Sequence, residues 1–254
     1  LKVRFGKKAY LVFPTLLLFN SSDKALLALI WCGIFFGSLL VFGFQSPLIF
    51  LILYLIHLSL TTSGQEFLSF GWETYLMEIT VASFFLTLTT PYNVFGWLAL
   101  NFLLFRFYIQ AGISKINSRD PNWRNFTAIS YHYLTQPLPN TQAYYFYRLP
   151  MWFQKVSVGI MFWAELIAPL FMWGHAWSRL FAFTQMFGLQ VSIWFTGNLS
   201  YLNHMTAFQC IILIHNRFLI PIFGRPERVA HSPEWWSWLV SIPALAFLLL
   251  QVIN

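Results

Sequence analysis

Charge is scarce in this chain: only 9% of its 254 residues are Asp, Glu, Lys or Arg, where a soluble domain carries about a quarter. Together with 58% hydrophobic residues, 20% aromatics and a mean hydropathy of +0.62, that shortage excludes an ordinary soluble domain and indicates an integral membrane protein. Clustered basic residues are lacking too. The formal charge of +7 arises from 15 Lys and Arg against 8 Asp and Glu, spread thinly between apolar runs, whereas a nucleic-acid-binding face needs them gathered on one surface. The composition therefore argues against a nucleic-acid partner. One basic group does occur, Lys2, Arg4, Lys7 and Lys8 at the start, and it suits attraction to anionic lipid headgroups.

Cysteine is equally sparse. Cys32 and Cys210 both lie inside apolar runs, without the spaced Cys or His companions of a disulfide framework or zinc site. No two of His132, His204 and His215 stand three or four residues apart, the spacing by which one helix presents a pair of metal ligands. A Gly-rich phosphate loop and a GxSxG elbow are both missing. Neither a metal nor a cofactor is read from the sequence. The first apolar run, Ala9 to Phe19, follows a basic start without a small-residue cleavage site, so no signal peptide is read. The chain opens at Leu1 without Met and is read as part of a longer polypeptide.

Long apolar runs are what the chain has. A helix rising about 1.5 Å per residue needs roughly 20 residues to cross the hydrocarbon. Candidate runs are Ala25 to Phe44, Pro47 to Thr62, Phe70 to Thr90, Val94 to Ile116, Met151 to Trp173, Ala176 to Thr196, Leu202 to Ile220 and Trp235 to Ile253. Ala9 to Phe19, broken by Pro14, is too short to span and reads as a half-helix, an interfacial segment or the end of something longer. Backbone amides in lipid must be satisfied within the segment, and these continuous runs lack the alternation of barrel strands. The fold class expected is all-α: a polytopic helical membrane protein of about seven to eight spans. The domain plan expected is one transmembrane domain over 1–254 with an extramembrane loop or lid at 117–150. Basic residues fall in several loops, so the positive-inside rule leaves sidedness open.

An ionisable group inside a bilayer costs a few kcal/mol and calls for a partner, a water cavity or a task. Five such groups stand out: Glu73, Glu78, Arg106, Lys115 and Glu165. They read either as structural ion pairs between helices or as parts of a site. Arg106, Gln110 and Ser114 share a helical stripe, and Lys115 lies about 180° from Arg106. Glu73 and Glu78, about 140° apart, cannot form a carboxylate pair unaided. Lys115 ends its run after Ala111 and Gly112, small residues that admit a close neighbour. It is read as a snorkelling cation or, if desolvated, as a base.

Between two of the runs lies NSRDPNWRNFTAISYHYLTQPLPNTQAYYFYRLP, Asn117 to Pro150. Connections between packed helices are usually a handful of residues, so a segment of this length is a functional loop or lid, or is disordered. Its aromatics argue for order. His132, between Tyr131 and Tyr133, is read as an acid or base or as a hydrogen-bonding loop residue. The triplets at Asn20, Asn125 and Asn198 would accept glycans only in an exoplasmic compartment.

Several stretches, in this order, resemble the lipase maturation factor family: FLSFGWETYLME (Phe67 to Glu78), DPNW (Asp120 to Trp123), YHYLTQPLPN (Tyr131 to Asn140), LPMWF (Leu149 to Phe153), ELIAP (Glu165 to Pro169) and GNLSYLN (Gly197 to Asn203). Asp120, Trp123, Tyr131, Tyr133, Gln136, Pro137, Asn198 and Asn203 lie in these motifs. The resemblance implies a membrane protein of the endoplasmic reticulum in animals, or of the cytoplasmic membrane in bacteria, that assists maturation of secreted lipases. It implies membrane lipid and a secreted lipase client as partners. A C-terminal soluble region of the family is not part of this sequence. The membrane region is also distantly similar to the membrane domain of vitamin K-dependent gamma-glutamyl carboxylases, in which a lysine ending an Ala-Gly-x-x-Lys stretch is the base. Ala111 to Lys115 stands in that place, so the resemblance implies Lys115 as a candidate base. A lipid- or quinone-binding membrane protein is the third reading.

Overall fold

The computed structural model describes residues 6–136, 138, 140–224 and 231–253. Lys2, Arg4, Pro137, Arg225 and Arg228 lie outside the described residues. Every regular element among those described is helical. The principal helices are α1 (Asp23–Val41), α2 (Pro47–Gly64), α3 (Gly71–Thr87), α4 (Val94–Asn117), α5 (Ala128–Thr135), α6 (Thr141–Tyr147), α7 (Met151–Phe162), α8 (Ala176–Thr196), α9 (Leu202–Cys210), α10 (Asn216–Phe223) and α11 (Glu234–Ile253). The all-α polytopic class expected from the sequence is the one observed.

The number of clear spans is lower than expected. Five helical segments, Asp23–Val41, Pro47–Leu68, Val94–Asn117, Met151–Trp173 and Glu234–Ile253, are long and apolar enough to cross a membrane, or six if the bent pair Leu202–Leu213 and Asn216–Phe223 is one span. That pair is bent by 94°. The physical reason lies in length and polarity: α3 has only 17 residues and carries Glu73 and Glu78, and the Leu202 to Ile220 run is broken near His215, whose Nδ1 caps α10 by accepting from Arg217 N. The Ala9 to Phe19 run appears as short helical pieces, Ala9–Val12 and Leu16–Leu18, with Thr15 capping the second by accepting from Leu17 N.

The chain divides into two compact units, Leu1–Leu100 with Arg228–Asn254, and Asn101–Glu227. In the first, α1 starts at Ser22, whose hydroxyl accepts from Ala25 N, a cap that satisfies an otherwise orphaned donor. The turn from α3 to α4 is tight because Asn93 Oδ1 accepts from Phe95 N and Gly96 N. A Cβ on Gly96 would lie 2.5 Å from Leu86 N, so no other residue fits there unchanged. α11 returns to this unit: Trp236 Nε1 donates to Leu88 O at 2.8 Å, and Asn93 Nδ2 to Ser241 Oγ at 3.1 Å.

The second unit has its own core of Leu104, Tyr108, Ala168, Met172, Ala182, Met186, Cys210 and Leu213. Tyr108, fully buried, donates its hydroxyl to Met186 O at 2.8 Å, which removes the cost of an unsatisfied buried phenol. Asn117 to Pro150 is an ordered chain in the part described: a one-turn helix Pro121–Arg124, then α5 and α6.

Candidate functional site

Lys115 occupies the last turn of α4, where a cation complements the carbonyl end of the helix. Its Nζ donates to Ala111 O at 3.1 Å and to both carboxylate oxygens of Glu165, at 2.7 and 2.8 Å. Glu165 is buried on a π-turn, Trp163–Ile167, that interrupts the α7 span ahead of Pro169. Proline cannot donate to the carbonyl four residues back, which here belongs to Glu165, and a π-turn is one way a helix absorbs such a break. The two strands of chain meet because of Gly112: a Cβ there would stand 2.5 Å from Leu166 Cδ2 and 3.2 Å from Glu165 Cβ. The small-residue approach expected at Ala111 and Gly112 is thus made by the segment that carries Glu165.

The loop closes over this pair. Asp120 is a helix cap, accepting from Asn122 N at 2.9 Å, and the turn it starts sets the Trp123 ring 5.7 Å from Lys115 Nζ. Trp123 and Phe126 both pack edge-on against Phe162 of α7. The cation therefore sits between a carboxylate and an aromatic face, both of which attract positive charge.

Farther along, the loop is clamped to the end of α8. Gln136 Nε2 donates to Thr196 O at 2.9 Å and Asn140 Nδ2 to Gly197 O at 3.3 Å. Asn140 also caps α6 by accepting from Gln142 N. The Tyr133 ring packs on Phe146, and burial raises its hydroxyl pKa while a hydrogen bond with the Thr196 side chain lowers it. Gln154, fully buried on α7, donates to Phe146 O at 2.6 Å.

His132 projects from α5 next to Tyr133. Its pKa is lowered, first by partial burial and then by the positive charge of Lys115, so the neutral ring is favoured. Tyr131 is exposed, as is Asn198 beyond α8, while Asn203 is buried at the start of α9.

The remaining charged candidates divide between the units. Glu73 and Glu78 belong to the first, Arg106, Lys115 and Glu165 to the second. Glu73 is buried, and its Oε2 lies 3.3 Å from Nε2 of His57. His57, in the middle of an apolar run, was not singled out from the sequence; an ionisable ring at that depth was the available signal. Glu78 and Arg106 are half-buried. Among the described residues no three His, Cys, Asp or Glu side chains gather as a metal site.

The lipase maturation factor transmembrane domain matches residues 5–220 of the chain. Lipase maturation factor 2 of Gallus gallus is 34% identical over 242 residues, covering 90% of this chain and 34% of that protein. The Homo sapiens lipase maturation factor 2 is 32% identical over 254 residues, with 91% and 35% covered. Lipase maturation factor 1 of Mus musculus is 33% identical over 215 residues, with 79% and 37% covered. The chain thus spans about a third of the length of the curated relatives it matches. No solved structure matches it.

Proposed function

We infer function from one premise: the chain belongs to the lipase maturation factor family. It is an integral membrane protein of that family, and we propose that it is the membrane-embedded part of a factor that assists secreted lipases to their active folded state. We place it in the endoplasmic reticulum membrane if the source is eukaryotic and in the cytoplasmic membrane if it is bacterial, because secreted clients fold on the far side of those membranes. Within the 117–150 segment, the Tyr131 to Pro139 stretch is the part we assign to client recognition. The observation that supports this reading is its fastening: hydrogen bonds from Gln136 and Asn140 to the end of α8 hold a Tyr- and Leu-rich surface in one conformation. A surface fixed before binding avoids the entropic cost of ordering a loop at the moment of contact.

Replacing Tyr131 to Pro139 by a Gly/Ser linker tests it. Secreted lipase activity should fall strongly while lipase synthesis is unchanged. Full lipase activity with the linker in place would overturn the assignment.

The enzyme reading, with Lys115 as base, is the second one. A base must be free to take a proton, and the bidentate contact with Glu165 engages Lys115 as a charged donor. That contact favours a structural clamp over a base. Lys115→Arg separates the two: arginine keeps the charge and leaves lipase maturation intact if the lysine is a clamp, and abolishes activity if it is a base.

A further inference from the structure

The helix α6 has two unlike faces. Inward, Ala143 is buried and the Phe146 ring contacts Tyr133, Phe153 and Phe195 at 6.2 to 6.3 Å between centroids. Outward, Tyr144 is 53% exposed and Tyr145 60% exposed, with Arg148 stacked 4.8 Å over the Tyr144 ring. Both ends are pinned, the first by Asn140 and the second by Gln154. A rigid seven-residue helix that offers tyrosines and a cation to its surroundings has been shaped for what lies outside it.

What lies outside follows from the chain itself. Three residues separate α6 from Met151, where a segment long and apolar enough to span the membrane begins. Its first turn carries exposed Met151 and Trp152, and Lys155 follows. Tyr and Trp concentrate at headgroup depth, where an amphipathic ring has one apolar and one wet end. Arg148, among these aromatic residues, and Lys155, after them, complement anionic lipid headgroups. The belt is continuous with the entrance of a helical segment long and apolar enough to cross a membrane, which a client-binding surface does not require.

We propose that α6 is an interfacial helix: its Tyr144, Tyr145 and Arg148 face seats in the headgroup region of the bilayer and, through the Asn140 and Gln136 clamps, fixes the lid on the membrane surface. The occupant of this face is lipid. The assignment stands whether or not a lipase is the client of the neighbouring Tyr131 to Pro139 stretch.

The test places nitroxide labels at Tyr144→Cys and, separately, Tyr145→Cys, with exposed Cys32 replaced by Ala, in nanodiscs of phosphatidylcholine with and without phosphatidylserine. Power saturation with oxygen and a water-soluble nickel chelate gives depth, calibrated on headgroup-labelled and acyl-labelled lipids in the same discs. Both labels should read at headgroup depth, and Arg148→Gln should shift them outward in the phosphatidylserine discs only. The unsubstituted protein provides a second measurement: hydroxyl-radical oxidation of Tyr144 and Tyr145 should be several-fold weaker in nanodiscs than their exposure in the protein alone dictates. Labels that read as aqueous, or that become immobilised only when a lipase is added, would overturn the assignment and make the face a protein surface.

Discussion

The Lys115–Glu165 pair concentrates the energetic risk of the second unit in two side chains. Glu165 is the more dangerous partner, because its side chain is 5% exposed while that of Lys115 keeps 21%. Removing the lysine leaves a buried carboxylate without its counter-ion, a loss of about 3 to 5 kcal/mol for a buried pair, with the lower end fitting a partner that still reaches solvent. Lys115→Met should therefore lower the thermal unfolding temperature in detergent by many degrees. The double variant Lys115→Met with Glu165→Leu, which removes both charges, should recover most of the loss. If the single variant were as stable as the parent, the pair would not be a clamp.

His132 supplies a pH-dependent term in the same segment. Its folded pKa lies below the ordinary value of 6.5, so protonation favours the unfolded form of this segment. The stability it contributes is present above about pH 6.5 and is lost as pH falls through the lowered folded value. Protection factors across α5, with the pH dependence of intrinsic amide exchange divided out, should fall on acidification below about pH 6.5 by this linkage, and His132→Gln should flatten that response. A pH profile identical in the two proteins would show that His132 does not couple pH to the order of this segment.

At the level of elements, the 117–150 segment is held by side chains that reach backbone carbonyls, and those bonds are local enough to be cut one at a time. Asn140 has two tasks, capping α6 and tying it to Gly197. Loss of an N-cap costs about 1 kcal/mol, and the tie adds a comparable amount. Asn140→Ala should raise the rate of limited proteolysis across 128–147 several-fold, and Asn140→Asp should rescue the cap but not the tie, since a carboxylate cannot donate to Gly197 O. Equal cleavage of all three proteins would sink the clamp.

Part of this arrangement was legible in the sequence. Gly112 announced a close approach, whereas the caps at Asp120 and Asn140 were not singled out, although an Asx residue one position ahead of a helix is the signal for them. The partners were not legible: nothing local to Lys115 points to Glu165, fifty residues on, and nothing in α8 marks Thr196 O as the acceptor for Gln136. Long-range pairing is decided by how helices pack, which periodicity along one segment does not encode. The π-turn at Trp163–Ile167 was also hidden, because Pro169 reads as a break without saying which carbonyl is released.

Across the whole molecule, membrane class and family followed from composition and motifs, whereas the allegiance of the last helix did not. The family domain matches residues 5–220 and stops before α11, yet α11 belongs to the first unit, with the residues up to Leu100. Its bonds explain why. Trp236 satisfies Leu88 O at the end of α3, Ser232 Oγ accepts from Thr90 N at 2.8 Å, and Phe247 packs on Phe85. The two hydrogen bonds join positions 142 and 148 residues apart and satisfy backbone groups at the turn that links α3 to α4, where an unpaired carbonyl in an apolar setting costs several kcal/mol. Deleting residues from 231 onward should therefore loosen α3 and the Leu88 to Asn93 turn, raising amide exchange there by at least tenfold, while exchange in α5 and α6 of the second unit stays as it was. The milder Trp236→Phe, which removes only the indole donor, should loosen the same turn to a smaller degree. Unchanged exchange at the turn after the deletion would mean that α11 lies against the first unit without supporting it, and a loss of protection in α5 and α6 would mean that the second unit depends on it as well.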